Sequence, residues 1–139
     1  MPPDAEGPPA ASDSVLLVDA ANVVGSRPTG WWKDRAGAAR TFVDRLRAAA
    51  ADGRVPTPVV VVLEGAARRG VEEGTADGVE VVHARGEGDD TLAALATALA
   101  GSGQVVKLVS ADRELGRRAR QAGTDVVGPN WLLDRLDEP

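Results

Sequence analysis

The chain alternates short, continuous apolar runs with longer stretches in which apolar residues return every three or four positions. The runs at 15–18, 59–63, 79–82, 105–109 and 125–127 are rich in valine and hold few interleaved polar residues. A strand with one solvated face alternates, whereas a strand covered on both faces reads as an unbroken apolar run. Between the runs the spacing predicts helices. Over 33–51, Ala36, Ala39, Phe42, Val43, Leu46 and Ala50 fall on one side, with Arg40, Asp44 and Arg47 opposite. A second helix is expected over 89–100, with Leu92, Leu95, Ala96 and Leu99 facing inward. A third is expected over 112–121, closed by Gly123 as its C-terminal cap. "GPNWLLDRL" closes as a short helix with Pro129 in its first turn. Strands alternating with helices indicate a doubly wound α/β domain, three layers deep, with a mostly parallel central sheet. The segment 64–78, "EGAARRGVEEGTADG", stays open between a short helix and a mobile arm.

Composition narrows the chemistry. A chain of 139 residues, 43% hydrophobic, is long enough for one domain with one core. It has no cysteine, which removes zinc–thiolate sites, thiol nucleophiles and disulfides, and its lone His83 cannot make a multi-histidine metal site. No apolar run approaches the ~20 residues needed to span a membrane. Segment 1–13, "MPPDAEGPPAASD", lacks the apolar core of a signal peptide and is expected to be a disordered leader. A cytoplasmic location is the resulting expectation. The formal charge of −5 argues against an evenly basic nucleic-acid coat. Setting four acids aside for a metal site, however, leaves the remainder nearly balanced against the 16 basic residues. All of these but Lys33 and Lys107 are arginine, whose planar fork grips phosphate. GC-rich coding, suggested by the abundant alanine, glycine and valine, yields the same bias.

The apolar runs end in acids. Asp19 closes the first, in "LLVDAAN", and Glu64 the second, in "VVVVLEG". Asp89 and Asp90 open the second long helix in "GEGDDTL", and Asp112 follows the fourth run in "LVSADREL". In open parallel sheets, ligands bind beyond the carboxyl ends of the strands, near the reversal of strand order. Carboxylates gathered there repel unless a cation joins them or their pKa values rise. Oxygen donors without His or Cys suit Mg²⁺ or Mn²⁺, which can orient a phosphodiester and lower the pKa of water. Each acid also has a plainer reading. Asp89, Asp90 and Asp112 suit helix caps and first turns, with Ser110 a further cap candidate. Asp19 has no obvious helix after it and could close an Asx-turn over "DAAN", and Glu64 reads as a solvated loop residue. Asn22 would bond a phosphate or hold Asp19 in place, and Ser110 would steer water or a phosphate oxygen. A catalytic triad is excluded, because no nucleophile elbow is present and the one histidine lies in a separate strand.

"LLVDAANVVG", the "GDDTL" helix start and "VSADREL" resemble, in order and spacing, the NYN-type branch of the PIN-like nuclease superfamily. The resemblance extends over 14–136. It implies a parallel sheet ordered 3-2-1-4-5 and a Mg²⁺- or Mn²⁺-dependent ribonuclease with its acids at the carboxyl edge. It makes Asp19 the first metal ligand with Asn22 as its polar companion, Asp89 or Asp90 the helix-borne acid, and Asp112 the acid beside Ser110. Two departures stand out. Glu64 replaces an aspartate common after the second strand, and Ala20 and Ala21 replace a glycine–aromatic pair.

The expected substrate is RNA, cut within the chain. Arg27 and Arg35 are the foremost candidates for phosphate contacts, ahead of Arg68, Arg69, Arg85 and Arg113. Trp31 and Trp32 suit either base stacking or packing under the helix start, and Trp131 suits the core or a C-terminal lid. His83 reads as an ordinary strand-end residue. The alternatives are a non-catalytic module of the same fold that binds RNA or protein, and a metal-dependent phosphotransferase on a related sheet. A homodimer or a protein partner remains open.

Overall fold

The computed structural model describes residues 14–137. The expected leader, 1–13, lies outside them. The five valine-rich runs are strands: β1 (Ser14–Asp19), β2 (Val59–Leu63), β4 (Val79–His83), β5 (Val105–Val109) and β6 (Asp125–Val127). A sixth, β3 (Gly74–Ala76), joins them at the edge, and the sheet runs β3-β4-β2-β1-β5-β6. The five expected strands thus follow the order 3-2-1-4-5. Every pairing is parallel except that of β3 with β4.

The sheet is covered on both faces, which is why its central strands show no polar alternation. Leu16 and Val18 of β1, with Val59, Val61 and Leu63 of β2, join one core. On that face lie α1 (Ala20–Gly25), α2 (Arg35–Ala51) and α5 (Pro129–Asp137), contributing among others Val23, Phe42, Leu46 and Leu132. Val15, Leu17, Val60, Val62 and Leu108 point the other way, onto α3 (Gly88–Gly101) and α4 (Arg113–Gln121) through Leu92, Ala96 and Leu115. Leu17, Leu46, Leu108 and Leu115 are wholly inaccessible, and burial of each contributes about 1.5–3 kcal/mol. Helix α4 ends as expected at Gly123 (φ +87°): the Gly123 and Thr124 amides return to the carbonyls of Arg120 and Ala119, a Schellman closure.

Two local expectations are corrected. A helix does begin after Asp19: α1 is only six residues long, too short to leave a 3.6-residue apolar pattern in the sequence. Segment 64–78 is neither a simple helix nor an arm. It forms a 3₁₀ turn (Gly65–Arg69) and then the hairpin β3–β4 around Asp77-Gly78, whose φ values are +53° and +78°. Positive φ at both central residues is the turn that Asp-Gly favours between strands. No described helix is long and apolar enough to cross a membrane.

Candidate active site

Four of the expected acids come to the carboxyl edge of the sheet, and the construction starts at β1. Asp19 is its last residue, in register with Val62 of β2, and is buried at 6% exposure. Its two oxygens have different duties. Oδ1 accepts from the Asn22 amide at 3.2 Å and so caps α1. Oδ2 accepts from the Ser110 hydroxyl at 2.9 Å. Ser110, just past β5 and itself 3% exposed, accepts in turn from the Asp112 amide at 3.1 Å. The Asn22 side-chain oxygen accepts from the Ala111 amide at 2.7 Å. These bonds join the ends of β1 and β5, the neighbouring strands at which strand order reverses.

Two helix starts complete the rim. Asp112 caps α4, its Oδ1 accepting from the Leu115 amide at 2.9 Å. Asp89 lies half-buried in the first turn of α3. Glu64 corrects the solvated-loop expectation: it is half-buried and accepts from the Gly88 amide at 3.1 Å, tying the end of β2 to the start of α3. A Cβ at position 88 would stand 2.9 Å from Glu64 Oε1, so a larger residue there would push the Glu64 carboxylate aside.

The electrostatics are those of an acidic rim with little cationic compensation. Burial pushes the Asp19 carboxyl up to about 6. The Ser110 and Asn22 hydrogen bonds oppose that rise, and the charges of Asp89 and Glu64 add to it. Asp89 is also held above the ordinary carboxylate range, first by burial and then by Asp112, Glu64 and Glu87, with Arg118 acting against them. Among the described residues none of Asp19, Glu64, Asp89 and Asp112 takes part in a salt bridge. Mutually repelling oxygen donors of this kind fit a hard divalent cation in their chemistry. They are not gathered about a common point, however. Among the described residues no three carboxylate or imidazole groups are close enough together to hold an ion as they stand.

The other candidates divide. Asp90 is exposed and pairs with Arg118 at 3.1 Å, so the two adjacent aspartates of "GDDTL" have separate roles. Arg27 does not face the acids: it pairs with Asp137 of α5 at 2.8 Å, beside Arg45 on the same carboxylate. Arg35 does lie near the site. Its guanidinium stands 5.3 Å from the Trp31 ring centroid, and both line a cleft of about 380 Å³ that also holds Glu64 and Glu87. Arg68 is spent on the carbonyls of Gly65 and Ala84. Trp131 is half-buried against the core, between Arg135 and Lys107. His83 bonds the Val71 carbonyl at 2.7 Å, consistent with a strand-end role. The residues undervalued in the sequence are Glu64 and Glu87. Glu64 carried the same signal as Asp19, an acid directly after a fully apolar strand. Glu87 carried none, because its place depends on where the loop before α3 turns.

No protein-family model matches the chain, and no curated protein does. Among solved structures the chain is similar to Rae1 (YacP) from Bacillus subtilis, at 21% identity and a TM-score of 0.68, over 89% of this chain and 74% of that one. A point mutant of the same protein matches at 20% identity and a TM-score of 0.63, over 89% and 75%. At such identities the likeness establishes the architecture: a mostly parallel α/β sheet flanked by helices, shared over most of both chains.

Proposed function

We propose that the protein is a metal-dependent endoribonuclease whose site is the acidic rim of Asp19, Asp89 and Asp112, with Glu64 as a fourth carboxylate. One observation carries the reading. A buried aspartate at the end of the central strand has the like charges of Asp89 and Glu64 near it and, among the described residues, no cation paired with it. Burying a carboxylate among like charges is costly even with two hydrogen bonds, and carboxylates perturbed in this way concentrate at functional sites. The order and spacing of "LLVDAAN", "GDDTL" and "VSADREL" support the same class.

Asp19, Asp89 and Asp112 would hold Mg²⁺ or Mn²⁺, with the Asp89 and Asp112 side chains drawn toward Asp19. The ion supplies charge neutralisation for an RNA phosphodiester and a lowered pKa for water. Ser110 fixes the Asp19 rotamer through Oδ2, and Asn22 holds the 110–112 turn against α1 through the Ala111 amide. Arg35 is the cation best placed to meet the RNA strand, at the cleft that Glu64 also lines. Asp90 and Arg27, each engaged in a solvent-accessible ion pair, are left out of the catalytic set.

The test is incubation with end-labelled single-stranded RNA, structured RNA and single-stranded DNA, with Mn²⁺, Mg²⁺ or EDTA, beside Asp112→Asn. Metal-dependent RNA cleavage that disappears in the variant is the expected result. A second reading, a non-catalytic RNA- or protein-binding module, draws on the capping roles of Asp19 and Asp112 and on the ungathered acids. No cleavage of any substrate, with no Mn²⁺-dependent rise in melting temperature, would favour it.

A further inference from the structure

The cleft beside the rim has a lining unlike that of a phosphate track. It lies next to the acids, since Ala20 follows Asp19 and Glu64 lines both. Its floor is small and apolar, including Ala20, Ala39 and Leu63. One wall is the half-buried Trp31, which meets Trp32 edge to face at 6.0 Å and carries Arg35 over its ring. The polar lining of the cleft includes Glu64 and Glu87. Carboxylates repel phosphate but accept hydrogen bonds from amino and imino edges. A volume of about 380 Å³ is at the small end of ligand cavities, enough for one planar group and part of its sugar but not an oligomer. An apolar cleft with an aromatic wall and a guanidinium plane is how proteins hold an unstacked base.

We infer that this cleft receives a single nucleobase of an RNA strand whose backbone crosses the acidic rim, with Trp31 and Arg35 as the stacking wall. The inference rests on the ribonuclease reading for the identity of the strand, though base capture does not itself require cleavage. The exposed Ala21 lies at the cleft, so a larger side chain there would fill it with little disturbance of the core.

The experiment measures binding in EDTA, by fluorescence anisotropy, of a labelled single-stranded RNA of about eight nucleotides. A set of the same oligomer carries one abasic ribose moved along it. An abasic ribose at one position should weaken binding by about 10-fold, the scale of one stacked base, with little effect elsewhere. Ala21→Phe should lose the same factor on the parent RNA and show no further loss with the abasic one. The inference is overturned if every abasic oligomer binds the unmodified protein as tightly as the parent. It also fails if Ala21→Phe keeps the position dependence, or if no RNA binds. Cleavage of the parent RNA with Mn²⁺ is read in parallel. Base-dependent binding without cleavage would remove the nuclease and keep the base cleft; cleavage without base dependence would do the reverse.

Discussion

Asp19→Asn should make the metal-free protein more stable, and by an amount that depends on pH. In the folded chain the Asp19 carboxyl titrates near 6, against 3.8 ordinarily. An acid whose pKa is raised by folding favours the protonated native state, so its contribution is complete at low pH and lost as pH climbs from about 4 to about 6. Above that window the ionised Asp19 costs the fold about 3 kcal/mol. Asparagine is neutral at every pH and keeps one acceptor for either the Ser110 hydroxyl or the Asn22 amide. The group left mispaired takes back about 1 kcal/mol. The net expectation at pH 7.5 is a gain of about 2 kcal/mol, or about 5–10 °C in Tm for a chain of this size. Urea denaturation in EDTA at pH 4.5, 6 and 7.5 on both proteins checks it, because subtracting the curves cancels the other titrating groups. The advantage of the variant should shrink by about 2 kcal/mol between pH 7.5 and pH 4.5. A difference that does not vary with pH, or a variant less stable than the parent at pH 7.5, would refute the account of Asp19 as a carboxylate held against its own desolvation.

The same pair of proteins distinguishes a metal site from a merely strained aspartate. Mn²⁺ at a hundred times its Kd should stabilise the parent by about 2.7 kcal/mol and Asp19→Asn by far less; equal shifts in melting temperature would remove Asp19 from the ligand set. Ser110→Ala should cost about 1–3 kcal/mol in urea denaturation at pH 7.5, because Asp19 Oδ2 and the Asp112 amide lose one partner together. A cost within ~0.5 kcal/mol, typical of surface changes, would mean the buried link is dispensable. RNA cleavage should fall at least about 100-fold in Asp112→Asn and stay within about threefold of the parent in Asp90→Asn, whose carboxylate faces Arg118 in solvent. Equal losses would reverse the choice between the two kinds of acid.

The parts of the fold legible in the sequence were those with a periodic signal. The valine runs placed β1, β2, β4, β5 and β6, and the spacing of Phe42, Val43 and Leu46 placed α2. The six-residue α1 escaped because nothing periodic fits in so short a span. β3 escaped because all three of its residues are exposed, although Asp77-Gly78 advertised the turn. At the site, chain order led to Asp19, Asp112 and Ser110, since each directly follows a buried strand or its end. The choice between Asp89 and Asp90 could not be made in that way. It depends on the rotation of α3, which sets one aspartate toward the rim and the other toward Arg118. The position of Arg27 has a similar origin: the loop after α1 carries it to α5, and only tertiary packing fixes that destination.

Capping and metal ligation are compatible roles for one aspartate, because each uses a different oxygen. Asp19 and Asp112 each spend Oδ1 on a helix amide, at 3.2 and 2.9 Å. A cap of this kind locks the side-chain rotamer at the cost of one oxygen. It leaves the second oxygen in a fixed direction, held by Ser110 in Asp19 and without a hydrogen bond among the described residues in Asp112. In the proposed metal site such a cap would limit the freedom lost on binding at Asp19, while Asp112 and Asp89 would still have to move toward it, since among the described residues no three such groups are gathered. Under the proposed function, capping would then restrict two of the ligands by short-range contacts. Removing a cap should loosen the site as well as the helix. The same logic explains Glu64, which sacrifices one oxygen to the Gly88 amide and thereby fixes the start of α3, the helix that brings Asp89 to the rim.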